Sequence, residues 1–145
     1  MGKLIVRIGI SAVLFTLIAE LVWSLSSYVF MPLYLDAQYM ATWSKLALPG
    51  SGTPTNMILI MMVITLVMSV AYTLFYRCFR DKLSGGVVKK GLYFAGMIYL
   101  LGVLPGYLTM MVMIHLSVHI FLSWMITSLI VFAVGGVVVA RVNKV

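Results

Sequence analysis

The sequence predicts an all-α integral membrane protein: a four-transmembrane-helix bundle of two helical hairpins, with both termini on the cytoplasmic side and a short amphipathic helix at the outer interface. Three observations lead there. Of 145 residues, 63% are apolar and 9% charged, whereas a soluble domain carries about 25% charged residues. The apolar residues gather in runs long enough to cross a hydrocarbon core of about 30 Å, which takes roughly 20 helical residues. Ten Lys and Arg stand against three Asp and Glu, a net charge of +7, and nearly all the cations fall on one side of those runs. A single cysteine, Cys78, excludes a disulfide scaffold. The whole chain, 1–145, reads as one membrane domain.

The first span covers about 8–30 and contains one charge, Glu20. Lys3 and Arg7 precede it, and no small-x-small cleavage site closes it, so a retained anchor is expected rather than a cleaved leader. The outer loop, 31–56, carries Leu35, Tyr39, Met40, Trp43, Leu46 and Ala47 at helical spacing, with Asp36, Gln38, Ser44 and Lys45 between them. That pattern predicts a helix lying in the interface, with Tyr39 and Trp43 at headgroup level. Pro49, Gly50, Gly52 and Pro54 then break the chain.

The second span covers 57–76 and the basic loop 77–90. Gly91 to Ala140 is a stretch of 50 residues without a charge, which fits two spans, 91–110 and 120–140, turning between Met111 and His119. Lys3, Arg7, Arg77, Arg80, Lys82, Lys89, Lys90, Arg141 and Lys144 all lie at one end, and Lys45 alone at the other. The positive-inside rule puts that end in the cytoplasm, in a bacterial cytoplasmic (inner) membrane. Arg77, Arg80, Lys82, Lys89 and Lys90 are candidate contacts for lipid headgroups. Nucleic acid is not an expected partner, because no interleaved aromatics or binding fold accompany the cluster.

Polar residues recur along the spans. Thr16, Glu20, Trp23, Ser24 and Ser27 share a face of the first, and Thr65, Ser69, Tyr72, Thr73 and Tyr76 a face of the second. The fourth offers Ser123, Trp124, Thr127 and Ser128. In lipid such stripes are expected to face other helices. Counted from the basic end, Glu20 lies 13 residues in, Thr65 12, Gly102 12 and Thr127 14, a common depth of roughly 18–21 Å at 1.5 Å per residue. Pro105 has no N–H, which frees the Leu101 carbonyl near that level. Glu20, Thr65, Ser69, Thr127 and Ser128 therefore form the candidate intramembrane site. Glu20 has two readings: a neutral acid that hydrogen-bonds between helices, or a proton or cation site. Small residues, Gly102 and Gly106 around Pro105, then Gly135 and Gly136, are candidate packing surfaces within the chain or between chains.

The run Leu17-Ile18-Ala19-Glu20-Leu21 resembles the stretch around the helix-one glutamate of the small multidrug-resistance transporters, which are four-helix proteins. The resemblance covers about five residues of the chain. It implies that Glu20 exchanges protons for a cationic substrate in a dimer. The chain departs from that family in its long first loop and its strong charge bias.

Twelve methionines are present. Met110, Met111 and Met113 fall near the outer boundary beside His115 and His119, and thioether with imidazole suits Cu(I). On a helix the two histidines, four apart, would share a face and could also hold haem iron. The bland alternative is that methionine fills irregular gaps, and no cofactor is the expectation. No Ser–His–Asp set, paired carboxylates or phosphate-cradling loop can be assembled, so an enzyme is not expected. The expected role is an accessory or scaffold subunit, packed against copies of itself or other membrane subunits. The alternatives are a small proton-coupled transporter or channel using Glu20, and a copper or redox component using the Met/His cluster.

Overall fold

Among the residues that the computed structural model describes, 2–38 and 54–144 (the side chains of 54–57 excepted), seven helical segments are bounded. They are α1 (Gly2–Val29), α2 (Met31–Tyr34), α3 (Pro54–Phe79), α4 (Val87–Ile98), a π-helical turn (Tyr99–Val103), α5 (Leu104–Met113) and α6 (Val118–Val142). α4, the π turn and α5 run on as one span, Val87–Met113, so four helices are long and apolar enough to cross a membrane. No strand occurs among the described residues. The predicted interfacial helix falls almost wholly on 39–53, outside the described residues. Before it, the Asp36 carboxylate accepts the Gln38 N–H at 2.9 Å.

Each long helix extends past the hydropathic limits. α1 starts six residues before 8, α3 ends at Phe79 rather than 76, and α6 covers Val118–Val142 rather than 120–140. Hydropathy marks where acyl chains would begin, whereas the hydrogen-bond ladder continues through the flanking charged residues. The hydroxyl residues stay helical because most donate to their own ladder. Ser11 bonds the Arg7 carbonyl at 2.8 Å, Thr16 that of Ala12 at 2.9 Å, and Thr65 that of Met61 at 2.9 Å. Such back-bonding satisfies the donor where no water is at hand and leaves the oxygen free to accept from a neighbour.

The π turn lies directly before Pro105. There the Leu104 N–H bonds the Tyr99 carbonyl, five residues back. Proline has no N–H to continue the i−4 pattern and its ring crowds the preceding turn, so a widened turn fits the chain around it. The third and fourth spans turn at 114–117, inside the predicted interval, where the Ser117 hydroxyl accepts the His119 N–H and caps α6.

α1 and α6 are the central pair. α3 packs on the far flank of α1, and α4 on the far flank of α6. α3 and the third span meet mainly at the basic end, where Phe94 sits 4.9 Å from Tyr72, 5.4 Å from Tyr76 and 6.4 Å from Phe79, ring centre to ring centre. Phe94, Tyr72 and Tyr76 with Phe15, Ala19, Val131 and Val139 form the main core, and Phe79 stands exposed at its edge. A second core at the opposite end joins Leu116, Ile120 and Phe121 to Leu33, Tyr34 and Trp124, and the Trp124 indole donates to the Tyr34 hydroxyl at 2.8 Å. The outer surface is apolar: Leu17, Leu21 and Leu25 make a stripe along α1, each more than half exposed at 57, 61 and 58%. Water would not tolerate that belt on a small domain, and lipid does.

Candidate functional site: a cleft between helices

Glycines decide how closely the helices approach. A methyl placed on Gly91 would stand 2.6 Å from the Gly136 carbonyl oxygen, and one on Gly136 2.7 Å from the Gly91 carbonyl. α4 and α6 therefore cross backbone to backbone at this pair, and any side chain there would push them apart. At Gly135 a methyl would meet the Phe15 ring at 2.5 Å. Gly102 and Gly106 differ: nothing lies within 4 Å of a methyl at either position.

Those two glycines line a cleft of about 720 Å³ between α3 and the third span. Thr65, Met68 and Phe75 of α3 face Gly102, Gly106 and Tyr107 across it, and Trp23 of α1 and Ser128 of α6 help line it. The aromatic contacts of Phe94 join α3 to the third span towards the basic end. The Tyr107 hydroxyl and Ser128 Oγ hydrogen-bond at 2.7 Å, and the Tyr99 hydroxyl donates to the Met125 carbonyl at 3.0 Å. The lining is thus mostly apolar; Thr65, Tyr107 and Ser128 are hydrogen-bonded, whereas the Tyr72 hydroxyl has no hydrogen bond among the described residues. It can bind a shaped apolar partner by contact, and it offers no array of acids, bases or nucleophiles for chemistry.

The candidate polar layer is divided between this cleft and two helix seams. Thr65, Gly102 and Ser128 line the cleft. Ser69 is buried on the α1–α3 seam, where its Oγ lies 3.1 Å from Thr16 Oγ1. Thr127 is buried on the α1–α6 seam, hydrogen-bonded to Ser26 and to the Ser123 carbonyl. Glu20 does not line the cleft. It is partly exposed on α1 and has no hydrogen-bond or ion-pair partner among the described residues. Equal depth places residues in a plane, but helix rotation decides which of them meet.

At the basic end Asn143, 1% exposed, gathers three helices. Its amide donates to Ser11 Oγ at 2.8 Å and to the Val139 carbonyl at 2.9 Å, and its side-chain oxygen accepts from Arg77 at 2.9 Å. Arg80 donates to its backbone carbonyl at 3.0 Å. Lys90 donates to the Arg80 carbonyl at 3.0 Å, and Arg7 to the Lys144 carbonyl at 3.2 Å. Of the five expected headgroup cations, Arg77, Arg80 and Lys90 thus serve the protein's own carbonyls and amide, while Lys82 and Lys89 lie over the rings of Phe79 and Tyr93. Sequence reasoning missed Asn143, Ser26, Tyr99 and Tyr107. Only Asn143 left a signal, as an uncharged amide between Arg141 and Lys144.

The expected helical pairing of His115 and His119 is corrected by the Ser117 cap. His115 lies in the turn and His119 in the first turn of α6, so they do not share one helical face. Both are exposed, and His119 Nδ1 is 3.2 Å from Ser117 Oγ. Met110, Met111 and Met113 lie on α5, all exposed. Among the described residues no three His, Cys, Asp or Glu side chains gather as metal ligands. No family model matches this chain, and neither a curated protein nor a solved structure does.

Proposed function

We propose that this chain is a small, non-enzymatic subunit of a membrane assembly, a scaffold that receives a transmembrane helix of a partner polypeptide in the cleft between α3 and the third span. The observation that carries the reading is the bare pair Gly102 and Gly106. One turn apart, they line the cleft, and a methyl at either would meet nothing within 4 Å. Such a spacing is the surface on which helices cross closely in lipid, and no helix among the described residues packs on it. A mostly apolar lining that holds no Asp, Glu, His, Cys or Lys supports binding over chemistry. The partner is another membrane subunit or a second copy of this chain. The basic end, with both termini, is cytoplasmic in this reading, and the membrane is a bacterial cytoplasmic one.

The test places a photo-crosslinking side chain at Gly106 of the full chain in its native membrane. Capture of one defined polypeptide, lost when the probe is moved to lipid-facing Leu17, is expected. Crosslinks to lipid alone from Gly106 would defeat the reading.

A second reading, a small proton-coupled transporter or channel, is favoured by one observation: Glu20 is an acid within a candidate span without a partner among the described residues. Its test is Glu20→Gln in liposomes under a pH gradient. Loss of proton-driven flux in a functioning reconstituted protein would support it.

A further inference from the structure

A second groove lies at the basic end, on the outer face where α4 begins and α6 ends. It has a volume of about 940 Å³ and is lined by the cations Lys89, Arg141 and Lys144 over an apolar floor that includes Val88, Leu92 and Tyr93. No Asp or Glu lines it. The bundle divides its cations into two sets. Arg7, Arg77, Arg80 and Lys90 are spent on carbonyl and amide oxygens of the chain. The side chains of Arg141 and Lys144 have no hydrogen bond or ion pair among the described residues, and Lys89 lies over the Tyr93 ring, 5.4 Å from its centre.

Three like charges brought to one groove repel one another, and an anion relieves the repulsion. The first turn of α4 adds to the field there. Its N-cap, Gly86, supplies no side-chain acceptor, and Gly86 to Lys89 line the groove. The floor fixes what kind of anion fits. Val88, Leu92 and Tyr93 are 44, 45 and 50% exposed and lead from the charged rim down the outer face of the third span. A ligand matched to both parts has a phosphate at one end and a hydrocarbon chain at the other. We infer that this groove is a binding site for one anionic phospholipid, its phosphodiester held by Lys89, Arg141 and Lys144 and an acyl chain laid along Leu92. The inference stands apart from the cleft and does not depend on a partner helix.

Native mass spectrometry of the full chain in mild detergent tests it, with titration by phosphatidylglycerol or phosphatidylcholine of matched chains. One phosphatidylglycerol is expected to bind about tenfold more tightly than phosphatidylcholine. Neutralising two of the cations, Lys89→Gln with Arg141→Gln, weakens it about thirty-fold, the equivalent of about 1 kcal/mol for each cation. Lys144→Gln alone weakens it about fivefold on the same scale. Lys3→Gln with Lys82→Gln removes the same charge from the same end and changes it less than about threefold. Equal losses in the two double variants would overturn the site in favour of diffuse attraction, as would the absence of any headgroup preference. Displacement of the lipid by millimolar glycerol phosphate would overturn it in favour of a soluble anion. Circular dichroism of each variant verifies that the helices are intact.

Discussion

The Asn143 side chain has two donor hydrogens and one acceptor oxygen, and three partners on α1, α3 and α6 use them. Asn143→Ala therefore takes the side-chain acceptor from Arg77 and one donor from Ser11, whose hydroxyl keeps the Arg7 carbonyl, at a cost of about 1–3 kcal/mol. Equilibrium unfolding in mixed micelles measures it. Tyr72 presents the opposite case. Its hydroxyl is buried against Gly136 and pairs with nothing among the described residues. An unpaired buried hydroxyl costs folding energy, so Tyr72→Phe is expected to leave stability unchanged or raise it by up to about 1 kcal/mol. A loss above that would show that the hydroxyl has a partner in the membrane. For Glu20 the scaffold reading predicts that Glu20→Gln leaves the mass of the assembled particle unchanged at every pH. Hydropathy located Glu20 and its depth, but its rotation about α1 was not legible, because Thr16, Glu20 and Trp23 are close enough in angle to belong to one face or to divide between two.

The long apolar helices were legible because about 20 apolar residues are needed to cross a bilayer whatever the fold, and they cover the four runs found in the sequence, α1 ending one residue short of 30. Closeness between helices was less so. Gly135 and Gly136 were visible as small residues, yet Gly91, the counterpart of Gly136 on α4, stood at the edge of the basic loop, where its small-xxx-small spacing with Ala95 did not stand out. Gly102 and Gly106 share the small-xxx-small spacing, yet among the described residues nothing lies within 4 Å of a methyl at either. A spacing rule states that a close approach is allowed, and the partner surface decides whether one occurs. The elements yield a prediction in turn. Gly136→Ala sets a methyl 2.7 Å from the Gly91 carbonyl oxygen, forcing α4 from α6 at a cost of about 1–3 kcal/mol. Gly135→Ala meets only a side-chain ring, which can turn, and costs less. The same unfolding measurement ranks the two.

On the scale of the molecule, the chain is a row of four helices, α3, α1, α6 and the third span, curled so that its two ends meet at the aromatic cluster around Phe94 and leave the cleft open beside it. A bundle that lived alone in lipid would gain by closing that cleft on itself, as van der Waals contact is the main force between helices there. The amino-acid pattern carried the charge asymmetry and therefore the shared end of α1, α3, α4 and α6. It did not carry the order of the helices in the row, which depends on paired contacts such as Tyr72 with Phe94.

The central claim is that the cleft receives another polypeptide, and the most direct measurement is the mass of the particle extracted from its native membrane in nanodiscs, for the natural chain and for Gly102→Leu with Gly106→Leu. The chain alone weighs 16.1 kDa. The account predicts a defined larger complex for the natural chain. For the variant it predicts a free, folded monomer, since a Cβ at either glycine meets nothing within 4 Å among the described residues and the leucines extend into the cleft that the partner would fill. A natural chain that travels alone, or a variant that keeps its partner, would contradict it.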